Sequence, residues 1–241
     1  MMSELQRTHS KNTGFSLVET VIAVGIVATL LTAFAALLGV ANDSLRDSFN
    51  KKDANRLVSA LERELGVLYS DEATVDVRTA FDKAYKWIDG ASKSDGYIFI
   101  YSYEGDPTVL RSNGSVVPDT NSPNRTVIVP VARFVQSGNL SDQMREELDA
   151  VSGAVFCVTT RQLVYNEAGE LEEGEEGINP PRDSMASLPA GTGLADSYPD
   201  SVILFNANFH ILPLNTADYL EEFTGESLRK PVFSRSLSVR R

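Results

Sequence analysis

The sequence predicts an α+β protein in which a long N-terminal helix, transmembrane in its first half and amphipathic in its second, packs on an antiparallel β-sheet domain. Three observations lead there. Thr20 to Asn42 runs for 23 residues without a charge, and a stripe of leucines at helical spacing continues beyond it. The rest of the chain holds segments rich in β-branched and aromatic residues, separated by clusters of Gly, Pro, Asn and Asp.

The apolar run has the length of a membrane span. At 1.5 Å per residue, a helix from Phe15 to Ala41 reaches roughly 40 Å, more than the ~30 Å hydrocarbon core requires. Arg7 and Lys11 precede it with only Glu4 opposing them, and Asp43, Arg46 and Asp47 follow it. The positive-inside bias therefore places the N-terminus in the cytoplasm and the ~200 residues after the span on the other side. A secretory signal would carry 7 to 15 apolar residues and then a small-x-small cleavage site. Here the apolar run is too long, and the small residue, Gly14, stands in front of it. A lone carboxylate, Glu19, lies one turn inside. A charge costs ~2.5–3.5 kcal/mol at the bilayer centre and less near an interface, so such a residue marks a function by default. The plain alternative is a glutamate that snorkels towards water or pairs only with its own chain's amine.

Beyond Asn42 the helical period continues through Leu45, Phe49, Leu57, Leu61, Leu65 and Leu68, with Arg46, Lys51, Lys52, Asp53, Arg56, Glu62 and Arg63 mostly off that face. One helix from Phe15 to about Tyr69 would be roughly 80 Å long. The alternative is two helices with a break near Gly39 to Asp43.

Residues 70–241 suffice for one α+β domain with its own core. Thr79 to Ile88 is a short helix with Phe81, Ala84, Tyr85 and Ile88 on one face, and Ser141 to Val151 is another with Ser141 as N-cap. Strands are expected at Tyr97–Tyr103, Thr126–Phe134, Ala154–Thr159, Gln162–Tyr165, Ser201–Leu212 and Val232–Val239. Thr160-Arg161 is read as a tight turn between two of them, and Asn206–Asn208 as a bend or hairpin. Glu104–Arg125 and Asn166–Pro199 are loops; the second carries the acidic run Glu167, Glu170, Glu172, Glu173, Glu175 and Glu176. That run is read as a solvated loop rather than a Ca²⁺ site, because the EF-hand spacing is missing. Tyr97, Phe99, Tyr101 and Tyr103 share one strand face, suited to packing against the long helix or a cross-strand neighbour. The tail from Arg229 to Arg241 has five basic residues and no acid, and fits a solvated terminus or an edge strand better than a docking arm.

Composition excludes several classes of function. Acidic side chains number 33 against 22 basic, for a formal charge of -11, so no general nucleic-acid binding is expected. One cysteine, Cys157, closes no intramolecular disulfide and is read as a small buried residue. The nucleophile-elbow, phosphate-loop and H-E-x-x-H patterns are missing, and His210 is read as a half-exposed structural residue. No catalytic residue, metal or cofactor is predicted.

Gly14-Phe15-Ser16-Leu17-Val18-Glu19-Thr20, behind a short basic leader and ahead of an apolar helix, resembles the class III signal of type IV pilins and type II secretion pseudopilins. The similarity covers roughly residues 7–68. It implies that a prepilin peptidase removes residues 1–14 by cutting between Gly14 and Phe15, and that Phe15 becomes an N-methylated terminus. Residues 15–41 would be the transmembrane and assembly helix, 42–69 its amphipathic continuation, and 70–241 a periplasmic domain. The implied partners are the peptidase, other pilin or pseudopilin subunits, an inner-membrane assembly platform and the lipid bilayer. Glu19 takes the place of the family's assembly glutamate. Its carboxylate, paired with the free amine of a neighbouring subunit, neutralises two charges that are each costly in a dry environment and so fixes axial register. Ala36 stands where most major pilins carry a kinking proline, a departure that favours a minor pilin or minor pseudopilin. Two other readings stay open: a membrane-anchored binding module or adhesin that uses the signal for export, and a single-pass anchored enzyme.

Overall fold

The computed structural model describes residues 16–69, 72–119, 126–136, 139–178, 195, 198, 200–226 and 228–241. The chain forms two units, one ending at Asp47 and one starting at Ser48. The first helix, α1 (Leu17–Gly66), contributes to both and is unbroken through Gly39 to Asp43, which rules out the two-helix alternative. Long runs of Ala, Leu and Val without proline give the helix no reason to stop there. It ends at Gly66, three residues before Tyr69, where glycine's high helix cost removes the incentive to continue.

Within the first unit, α1 exposes its described large apolar side chains all round, from Leu17 at 83% down to Val27 and Leu38 at 54%. Its hydroxyls are turned inward onto the backbone. Thr29 Oγ1 donates to the Gly25 carbonyl and Thr32 Oγ1 to the Ala28 carbonyl, both at 2.9 Å, so neither of these two presents a free O–H to an apolar environment.

The second unit is built around a seven-stranded antiparallel sheet. Its strands are β1 (Tyr97–Leu110), β2 (Val116–Pro118), β3 (Val127–Val135), β4 (Phe156–Tyr165), β5 (Leu171–Glu173), β6 (Val202–Ile211) and β7 (Phe233–Arg240). They run in the order β2-β1-β4-β6-β7, with β3 also on β1 and β5 on β4. Among the described residues three shorter helices accompany them: α2 (Ala80–Lys93), α3 (Asp142–Asp149) and α4 (Ala217–Glu221). Because side chains alternate along a strand, the sheet has two faces, and each builds a core. One face holds Ile98, Ile100, Phe156, Val158, Phe205 and Phe209 against α2 and the last turns of α1, which supply Ala54, Leu57, Leu61 and Leu65. The other holds Tyr97, Phe99, Tyr101 and Tyr103 with Met144, Leu148, Leu220 and Phe223 of the α3 and α4 region.

Several expectations need correction. Of the two expected partners of the Tyr97–Tyr103 row, the cross-strand neighbours Val131, Val135 and Cys157 pack with it and the long helix does not, because Ile98 and Ile100 take the α1 side. Thr160 and Arg161 lie inside one continuous β4 rather than at a turn. Neither residue favours positive φ, and Thr160 is buried with its hydroxyl donating to the Ile88 carbonyl at 2.7 Å. Asn206–Asn208 make no bend. Their outward amides are held by β7, Ser236 Oγ donating to Asn206 Oδ1 and Ser234 Oγ to Asn208 Oδ1, each at 2.6 Å. The segment 104–125 is not all loop, since β1 runs on to Leu110 and returns as β2. At Gly105 a Cβ would meet Val116 Cγ1 at 2.7 Å, so only glycine permits that return. The leucine stripe is buried only from Ala54 onward, while Leu45 and Phe49 remain exposed. The basic tail, by contrast, is as expected an edge strand, β7 at the end of the sheet order.

Candidate functional site at the N-terminal helix

The start of α1 follows from local chemistry. The first backbone N–H groups of a helix have no partner within it, and a serine at the N-cap supplies one. Ser16 does so. Its Oγ accepts from Glu19 N at 3.2 Å, and its carbonyl accepts the first intrahelical bond, from Thr20 N, at 3.1 Å. Ser16 and Glu19 thus occupy the first and last places of an S-x-x-E capping pattern. The Glu19 side chain is exposed, in the first turn of a helix whose next charge is Asp43. No ion pair to it is found among the described residues. Gly14 and Phe15, the expected cleavage and N-methylation positions, lie outside the described residues. One apolar N-terminal helix of this length marks a membrane anchor or a signal sequence.

The other residues singled out from the sequence have structural surroundings. His210 is buried rather than half-exposed: Nδ1 donates to the Arg229 carbonyl at 2.6 Å, and Nε2 lies 2.9 Å from Thr159 Oγ1. It joins β6 to the chain leading into β7. Cys157 is fully buried between strands, and burial pushes its thiol far above the ordinary range. In the acidic run, Glu173 accepts from Asn206 at 2.9 Å and Glu176 pairs with Arg161 at 3.0 Å. Among the described residues, no group of three His, Cys, Asp or Glu side chains is placed to hold a metal ion.

Two buried polar clusters escaped the sequence reading. Lys83 of α2 puts its ammonium 2.7 Å from both Glu64 of α1 and Glu72, 3.1 Å from the Val67 carbonyl, and over the rings of Tyr69 and Trp87. On the opposite face, the fully buried Glu147 accepts from Tyr101, Arg133 and Gln143. Burial and the Glu147 charge push the Tyr101 phenol well up, and Tyr103 beside it rises to about 12 for the same reasons. Both tie elements together in the interior, Lys83 joining α2 to α1 and Glu147 joining α3 to β1 and β3. A lysine on the inward face of an amphipathic helix was the one available signal for the first. Glu147 offers only Gln143 one turn away in α3, because its other partners, Tyr101 and Arg133, come from distant strands.

Compared with family models, with curated proteins and with solved structures, the chain matches none. The sequence motif and the architecture therefore carry the functional argument: an apolar N-terminal helix whose last turns pack on an antiparallel sheet is consistent with a pilin-like fold.

Proposed function

We propose that this protein is a type IV pilin-like filament subunit, a minor pilin or a type II secretion pseudopilin, and that its role is structural rather than enzymatic. A prepilin peptidase removes residues 1–14, and Phe15 becomes the methylated N-terminus. The processed chain is anchored in a bacterial inner membrane by residues 15–41, with its C-terminal domain in the periplasm, until an assembly platform moves it into a filament among other subunits. The observation that carries this reading is the Gly14-Phe15-Ser16-Leu17-Val18-Glu19 motif, whose last three residues begin a helix that stays uncharged from Thr20 to Asn42 with its large apolar side chains exposed. Such a helix needs lipid or other helices around it.

The test is direct. Co-expression with a prepilin peptidase is expected to shorten the chain by its 14-residue leader, and N-terminal mass spectrometry of the product should show methylated Phe15. Replacing Gly14 with a bulky residue should block the change. Recovery of the protein with Met1 still attached, from cells in which the peptidase processes a known substrate, overturns the reading.

A further inference from the structure

We propose that β7 is an open sheet edge onto which a second copy of this chain adds its acidic β5 strand. Both strands belong to the unit that starts at Ser48, so the contact does not depend on processing at Gly14. Arg241 N donates to the Ser201 carbonyl, and the β6–β7 register runs unshifted from Val202 opposite Arg240 to Phe209 opposite Phe233. Along an antiparallel strand the backbone groups of successive residues point to alternate sides. Arg235, Leu237 and Val239 therefore bond to β6, while the N–H and C=O groups of Ser234, Ser236, Ser238 and Arg240 point away from the sheet. These four residues are exposed, and among the described residues β7 pairs with β6 alone.

The other long edge is closed to such an addition. There β3 carries Pro130, which has no N–H to offer, and Arg63 of α1 donates to the Pro130 carbonyl at 2.8 Å. On β7 neither device is present, and charge takes their place. Arg229, Lys230, Arg235 and Arg240 are exposed, and none has a carboxylate partner among the described residues. Two β7 strands side by side would set these cations against each other, whereas an acidic strand neutralises them. The chain itself carries one. β5 is bonded to β4 alone among the described strands, and Glu170, Glu172 and Glu175 around it are exposed without an ion-pair partner there. Asn166 N donates to the Glu170 carbonyl and Gly174 N to the Gln162 carbonyl, which leaves the backbone of Leu171 and Glu173 facing outward. Main-chain hydrogen bonds supply the attachment and the charges select the partner. Because the two edges differ, the contact is head-to-tail and builds a row or ring of copies rather than a two-fold dimer.

The experiment mixes two differently tagged full-length variants in one detergent, Ser236→Cys on β7 and Leu171→Cys on β5, both of which leave every charge in place. A bis-maleimide spanning ~10 Å, about twice the spacing of neighbouring strands, tolerates a shift of register. Cross-links between the two variants are expected to be the main product. Reversing the β7 charges by Arg235→Glu with Arg240→Glu, or the β5 charges by Glu170→Lys with Glu172→Lys, is expected to lower their yield about tenfold. Reversing both together should restore it, which also shows that the reversed chains still fold. A main product joining two Ser236→Cys copies assigns β7 to two-fold pairing and overturns the proposal. So does a mixed cross-link that is missing, that ignores both reversals, or that the double reversal fails to restore.

Discussion

Asp82 shows how one carboxylate can hold two segments. At the N3 position of α2 it accepts from Thr79 N and Oγ1, both at 2.9 Å, and from Arg78 N, while its other oxygen accepts from Ala195 N at 3.1 Å. Burial alone would raise its pKa, but these hydrogen bonds to the charged form prevail and hold it below the ordinary 3.8. A carboxylate with a lowered folded-state pKa adds stability above its unfolded value and loses it as pH falls through the folded one. Asp82→Asn is therefore expected to cost about 1–3 kcal/mol near neutral pH, with the difference from wild type shrinking below about pH 4. Urea denaturation across that range measures it. Glu19 acts at the same scale but between molecules. Under the proposed function, Glu19→Gln leaves a neighbour's amine uncompensated in a dry interface, at a cost of ~2–5 kcal/mol. Leader removal should be normal, while recovery in sheared filaments falls by about tenfold or more.

At the scale of elements, the join between α1 and α2 depends on charge as well as on packing. Leu57, Leu61 and Leu65 bring the last turns of α1 onto the core, and Lys83 fixes the end of the helix by bridging Glu64 and Glu72. Removing one partner from a buried pair leaves the other charged and dry. Lys83→Ala is expected to destabilise the domain by ~3–5 kcal/mol, and the double variant Lys83→Met with Glu64→Leu to recover much of that loss. A thermal melt of the four-member mutant cycle distinguishes this from simple loss of side-chain contact. Which elements were legible beforehand follows from the same physics. The α2 helix and the Ser141 cap of α3 are announced by short-range spacing and a hydroxyl at the helix start. The single long β4 is not legible in the sequence because Thr160-Arg161 breaks the run of apolar residues, and the strand's later part is only half-buried, which accommodates Arg161.

At the scale of the molecule, the two units have opposite requirements. The unit from Ser48 onward has a core on each face of its sheet, whereas the unit ending at Asp47 exposes its apolar side chains. A fragment of residues 48–241 is therefore expected to be soluble without detergent and to unfold in one cooperative transition, and the full chain to require detergent. Circular dichroism melts and a detergent-free solubility assay check both. A fragment that aggregates or melts without cooperativity would mean that the second unit depends on the residues before it.

Much of this protein is written locally in the chain. Membrane-length apolarity, the GFSLVE segment with its early carboxylate, the helical period after it and the strand-rich remainder are set by residues a few positions apart, so composition and spacing suffice to see them. Folding determined what those signals leave open. It assigned the aromatic row of β1 to α3 and α4, began burial of the leucine stripe at Ala54, joined two expected strands into β4, and matched Lys83 with Glu64 and Arg133 with Glu147. Each outcome depends on which strand or helix lies alongside. A sheet that pairs β4 with β6 some fifty positions later, Cys157 opposite His210, settles such matters through long-range packing that no local window contains.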